Sequence, residues 1–292
     1  MKHTFYQVDV FCTAAHSPFT GNPVAVVLDA QSLSTEQMQT FARWTNLSET
    51  TFVTYEAARP QEYTVRIFTP GGELPFAGHP SLGTAWAVAT HYKLSDSHNT
   101  ALTQHCGVGA VAIQINAAGA SLKLPPATFT AISTAQQAQV ALALNAEPIG
   151  PATIIDLGPR WLTVPLASGE ALLAVTPDMA AIDLLSRKLS LTGLNVIGKY
   201  ANSAAAGANL EVRSFAPTFG VNEDPVCGSG NGAGAYYLRE HQQQTSDYEA
   251  RQGRAIHRDG RITIEYKGND IWLGGICINC IVGQLNSDGI SS

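Results

Sequence analysis

A chain of 292 residues with 45% hydrophobic and 14% charged side chains is long enough for two cores and lacks the composition of a disordered protein. Its net charge is −6 with Lys and Arg scattered singly, so there is no basic stripe to neutralise phosphates and no nucleic-acid partner is expected. No run approaches the roughly 18 apolar residues of a membrane span, the N-terminus does not read as a signal peptide, and five cysteines are too few for a disulfide framework. A cytoplasmic protein with free thiols and no membrane partner is the expectation.

Residues 1–10 alternate as a strand does, and short β-rich segments follow at 24–28, 63–69, 110–116, 161–166, 210–215, 261–266 and 271–282. The first helix is signposted by Ser34 as N-cap, Gln37 completing a capping box and Leu33 stapling against Met38. Thr176 followed by Pro177 is read as the opening of another helix, with Ile182 and Leu185 on its apolar face. Asp259-Gly260, between Ile256 and Ile262, is read as a hairpin turn. Cys277 and Cys280 have a metal-like spacing but no second pair, and along a strand they point to opposite faces. Buried structural thiols, and no metal, are expected there.

Several features recur at a common offset. Phe68-Thr69-Pro70 returns as Phe215-Ala216-Pro217 and Val8-Asp9-Val10 as Ile155-Asp156-Leu157, both 147 residues later, and Gly78 returns as Gly228 after 150. The set predicts two related α+β halves, each a curved sheet wrapped on a helix, with a cleft between them. Gly78 and Gly228 each open a helix, whose first N–H groups and macrodipole favour carboxylates. Two such ends could hold a small anionic metabolite without lysine or arginine.

Candidate chemistry gathers near these helix starts. Glu49, between the first helix and a strand, has small polar neighbours that can position it as an acid/base, although a turn glutamate is the plainer reading. Asp224 precedes Pro225, a common turn choice, but this turn leads into the Gly-rich start at Gly228. His79 is a donor or proton relay in the functional reading and a bonded helix-start residue in the plain one. Cys227, beside a helix N-terminus, is a possible alternative base, but Ala77 at the matching place removes a symmetrical two-thiol design. Gly228-Ser229-Gly230-Asn231-Gly232 only mimics a dinucleotide loop, since no strand runs straight into it, so no cofactor is expected.

An ordered set of motifs carries a resemblance. Val8-Asp9-Val10-Phe11, Gly21-Asn22-Pro23-Val24, Ser48-Glu49-Thr50, Phe68-Thr69-Pro70, Phe76-Ala77-Gly78-His79-Pro80, Glu223-Asp224-Pro225-Val226-Cys227-Gly228-Ser229 and Gln252-Gly253-Arg254 together resemble the phenazine-biosynthesis PhzF-like family, of diaminopimelate-epimerase-like fold. The resemblance implies two pseudo-symmetric halves, each barrel-like around a central helix: residues 1–125 with a C-terminal strand at about 281–292 returning to them, and residues 126–280. It implies a cofactor-independent isomerase, usually a homodimer, with the active site in the cleft. In that scheme Glu49 is the general acid/base, His79 and Asp224 assist, and Gly78, Gly228 and Ser229 bind substrate oxygens. Cys227 stands where phenazine-pathway members resemble each other in having Thr, so a different substrate is expected. A racemase using Cys227 with Glu49, or a non-catalytic small-acid binder, are the alternatives.

Overall fold

The computed structural model describes residues 1–94 and 100–288. Two compact units divide the chain, one of residues 1–123 with 274 onward and one of residues 124–273.

In the first unit, Lys2–Cys12 pairs antiparallel with Asn22–Val27, which runs parallel to Thr50–Tyr55. That strand pairs antiparallel with Glu62–Thr69, which holds the short Gly72–Leu74 strand and runs parallel to Thr100–Cys106. Gly109–Ile115 and Gly119–Lys123 follow antiparallel. The long strand Asp270–Asn286 then pairs with both Gly119–Lys123 and Lys2–Cys12, closing the sheet on itself. Inside it runs the helix Gly78–His91, buried from His79 to Ala89 except at Trp86. A helix enclosed this way needs apolar or small residues all round, so it shows no amphipathic stripe.

The outer face of this barrel is covered by the helix Thr35–Thr45. Its Met38, Phe41 and Ala42 pack on Val27, Phe52 and Phe68, each large side chain contributing about 1.5–3 kcal/mol by burial. Ser34 accepts from Gln37 N at 3.3 Å while Gln37 Oε1 accepts from Ser34 N at 3.0 Å, the expected capping box.

The second unit repeats the pairing order of the first. Thr153–Asp156 pairs antiparallel with Arg160–Leu166, which runs parallel to Gly193–Lys199. Leu210–Ala216 is antiparallel to that strand, holds the short Val221–Asp224, and runs parallel to Tyr248–Gln252, which pairs with Gly260–Lys267. Gly228–Gln242 is the enclosed helix here. The helices Thr134–Leu144 and Met179–Leu189 lie over an apolar cluster that includes Val140, Ile182, Leu185, Val196 and Phe215. The fold class is thus mixed α+β with barrel-like sheets around a helix.

Two local expectations are corrected. The helix read from Thr176 and Pro177 begins later, at Met179, because Asp178 caps it by accepting from Ala180 N and Ala181 N. Asp259-Gly260 does not turn a hairpin back on Ile256. Residues Arg254–Ile256 form a short 3-10 turn, and Gly260–Lys267 pairs instead with Tyr248–Gln252. Among the described residues, no helix is long and apolar enough to cross a membrane.

Candidate active site

Glu49 lies in the link between the first helix and Thr50–Tyr55. Asn46 ends the helix in the left-handed region at φ 53°, which reverses the chain. The strand that follows is tied to the enclosed helix by Thr51 Oγ1 and Thr84 Oγ1 at 2.8 Å. Alternation along an extended chain puts Glu49 on the same side as Thr51. There it meets His79, in the first turn of that helix, with Glu49 Oε2 at 3.3 Å from His79 Nδ1. The two side chains are only 16% and 7% exposed.

This contact has a definite chemical sense. His79 Nε2 lies 3.4 Å from Pro23 O, and since a carbonyl can only accept, that contact is a hydrogen bond in the tautomer with the proton on Nε2. In that neutral tautomer Nδ1 presents a lone pair to the carboxyl group. The pair is satisfied when one more proton sits between them, on Glu49 as an acid or on Nδ1 as an imidazolium. Burial pushes the Glu49 carboxyl up to about 7, against a smaller opposing effect of the Ser48 hydroxyl. Although close to Nδ1, Oε2 is buried without a well-aligned hydrogen bond. Gly78, immediately before His79, opens the helix with no atom within 4 Å of where a Cβ would stand.

In the second unit, Asp224 ends a short strand anchored by its neighbour Glu223. Arg213 grips Glu223 bidentately at 3.0 and 2.8 Å and donates to Leu172 O and Val175 O, all nearly buried. Asp224 Oδ1 accepts from Val226 N at 3.0 Å, so the turn before Pro225 is a genuine Asx turn. Cys227 caps the helix that opens at Gly228, its Sγ accepting from Gly230 N at 3.3 Å. Burial, and then the charge of Asp224, pushes this thiol up from its ordinary value. Ser229 Oγ accepts from Trp161 Nε1 at 3.0 Å and lies 3.6 Å from Cys227 Sγ. With the indole N–H on its oxygen, the Ser229 hydroxyl is left to donate.

The structure therefore brings Glu49 and His79 together beside Gly78 in the first unit, and Asp224, Cys227, Gly228 and Ser229 together in the second. Glu223 opens the motif that holds Asp224 but was given no role of its own, and Trp161 and Arg213, which also support these groups, were not singled out from the sequence because nothing in their spacing marks them. Cys277 is buried, its thiol pushed up to about 12, and Cys280 is partly exposed on the same strand. Among the described residues, no group of three or more His, Cys, Asp or Glu could hold a metal ion.

Glu49 is thus a buried carboxyl beside His79, in a fold of barrel-enclosed helices. The chain belongs to the family described as phenazine biosynthesis-like protein, whose model matches residues 8–272. It is 37% identical to the trans-2,3-dihydro-3-hydroxyanthranilate isomerase of Pseudomonas chlororaphis, over 82% of this chain and 81% of that protein. It is also 35% identical to antisense-enhancing sequence 1 of Schizosaccharomyces pombe, over 97% of this chain and 98% of that one. Among solved structures, a phenazine biosynthesis protein of the PhzF family from Enterococcus faecalis superposes with a TM-score of 0.81 at 28% identity, covering 98% of this chain and all of the other.

Proposed function

We propose that this isomerase moves a proton on a small cyclic or amino-acid-like carboxylate, without metal or organic cofactor, using Glu49 as its general acid/base. The observation that supports this most is the Glu49 carboxyl itself, enclosed beside His79 and pushed up to about 7. Near neutral pH such a group is populated both as base and as acid, which a shuttle requires. The Glu49 carboxylate takes a proton from an acidic substrate C–H, and the electron pair left behind moves into the adjacent π system. The resulting carboxylic acid then returns the proton to a different carbon. No electrons are gained or lost, so no redox partner enters.

In this reading His79 and Asp224 steady the proton and the substrate. The helix starts at Gly78 and Gly228, with the Ser229 hydroxyl, bind carboxylate and hydroxyl oxygens. The substrate of the Pseudomonas chlororaphis relative, trans-2,3-dihydro-3-hydroxyanthranilate, is a cyclic amino acid of this class and the first compound to test. The protein acts as a cytoplasmic homodimer in this proposal. A monomer mass by light scattering would remove the dimer from it. The racemase alternative asks Cys227 to be a ready thiolate, and its upward shift runs the other way. A mere binding protein has no need of a carboxyl poised near 7.

The test is solvent-deuterium incorporation in D2O, first with that compound and then with a panel of cyclic and amino-acid carboxylates. Glu49→Gln should still bind but lose about 10²-fold or more in turnover, the scale of a lost acid/base. Cys227→Ser should cost little. Wild-type exchange by Glu49→Gln together with silence from Cys227→Ser would replace this mechanism with the thiol-based one.

A further inference from the structure

The two enclosed helices begin with the same buried device. In the first unit Ser81 Oγ donates to Ala77 O at 2.7 Å and accepts from Gln104 Nε2 at 2.8 Å. In the second, Asn231 Nδ2 donates to Cys227 O at 2.9 Å and to Gln252 Oε1 at 2.7 Å. Ser81 and Asn231 occupy the same place, three residues after Gly78 and Gly228, and each meets a glutamine from a parallel-paired strand. Gln104 and Gln252 are 0% and 1% exposed.

Gln252 makes two bonds for which Gln104 has no counterpart. Its Oε1 also accepts from Cys227 N at 3.1 Å, and its Nε2 donates to Asp224 O at 3.0 Å. Gln104 Oε1 instead accepts from Tyr63 OH at 3.1 Å. One carboxamide thus pins both ends of the turn from Asp224 to Cys227. The next residue fits this arrangement. Gly253 has φ 97°, and a Cβ there would stand 2.5 Å from Pro225 O, so the turn backs directly onto the Gln252-Gly253 backbone.

We propose that Gln252 is a positioning residue, a clamp that fixes how Asp224 and Ser229 are presented at the start of the Gly228–Gln242 helix. The proposal rests on the reading of Asp224 and Ser229 as substrate-handling groups. A buried amide that satisfies two donors and one acceptor holds a turn more firmly than the Asx bond of Asp224 alone, since each bond lost leaves a buried group unpaired. In the first unit Gln104 reaches the turn that carries His79 only through Ser81, so the glutamine-to-helix bond is the repeated part and the two-ended clamp is particular to Gln252.

Two variants test it, each read by hydrogen exchange and by deuterium incorporation into whichever carboxylate of the panel above the wild-type protein labels. Gln252→Leu should raise exchange at the Cys227 and Gly230 amides about tenfold or more, with the Met179–Leu189 helix of the same unit unchanged. Its kcat should fall by more than its KM rises. Gln252→Glu keeps the acceptor for Cys227 N–H and Asn231 but can donate to Asp224 O only when protonated. Its turn should therefore lose protection relative to wild type as the pH rises from 5 to 9, each variant being compared with wild type at the same pH. If Gln252→Leu does not fold, Gln252→Glu decides alone. Exchange that stays flat in the turn, or rises equally in the Met179–Leu189 helix, overturns the clamp. Failure of the functional reading looks different: Glu49→Gln then keeps wild-type transfer while the Gln252 variants still loosen the turn.

Discussion

A carboxyl group held near pH 7 works against the fold that buries it. In the unfolded chain Glu49 titrates near 4.5, and in the folded chain near 7. Below pH 4.5 both states are protonated and the group is neutral to stability. As pH rises from 4.5 to 7 the unfolded chain releases its proton first, so stability falls, and above 7 the loss is complete. Glu49→Gln has no charge to bury, and its amide can donate to the His79 Nδ1 lone pair. Relative to wild type it should gain nothing at pH 4 and on the order of 2–3 kcal/mol at pH 8, about 5 °C in Tm. Thermal melts at the two pH values check this. An equal gain at both would mean that Glu49 is not charged against its surroundings, and the acid/base reading would lose its support.

At the scale of elements, the enclosed helices set the tolerances. Gly83 faces the strands so closely that a Cβ would lie 2.4 Å from Val24 Cγ1 and 2.8 Å from Val10 Cγ2. Gly83→Ala gains about 1 kcal/mol in helix propensity but must push two fully buried valines apart. Overpacking of this kind costs about 1–3 kcal/mol, so the expected net effect is a Tm lower by a few degrees. An increase in Tm would show that the barrel wall yields. The same enclosure explains what was legible beforehand. The strands at 63–69, 161–166 and 210–215 and the Ser34 capping box announced themselves by pattern, whereas the largely buried Gly193–Lys199, with a glycine at each end of its apolar stretch, went unread. Thr100–Cys106 and Tyr248–Gln252 went unread too, because Gln104 and Gln252 take buried positions of those strands, where an apolar residue would mark the pattern, to meet polar groups inside the barrels. From its neighbours alone Glu49 read more plainly as a turn residue than as an acid/base, since its partner His79 arrives from a distant helix, and the family resemblance is what raised it. The Ser133-Gln136 capping box repeats the Ser34-Gln37 pattern and could have been found.

For the whole molecule, the decisive connection is the last strand. Lys2 stands opposite Asn286 and Val10 opposite Cys277, so the first strand of the chain takes one of its neighbours from the end. The other edge of the same sheet, Gly119–Lys123, is also covered by Asp270–Asn286, with Cys277 N bonded to Ala118 O at 3.1 Å. Until those residues are made, the first unit is an open sheet with two unpaired edges, exposed to misassociation. Its closure is also the most non-local step in folding and should be slow. A chain ending at Leu273 isolates this step. The second unit keeps its own part of the strand, where Leu124 N donates to Ile271 O at 2.9 Å. Hydrogen exchange should then show the Gly228–Gln242 helix protected as in the full chain. The Lys2–Cys12 and Gly78–His91 amides should lose protection by about 10²-fold or more, because a helix wrapped by an open sheet is no longer shielded from water. Full protection of Lys2–Cys12 in the truncated chain would mean that the first barrel closes by another pairing, and the role given to the C-terminal strand would be wrong.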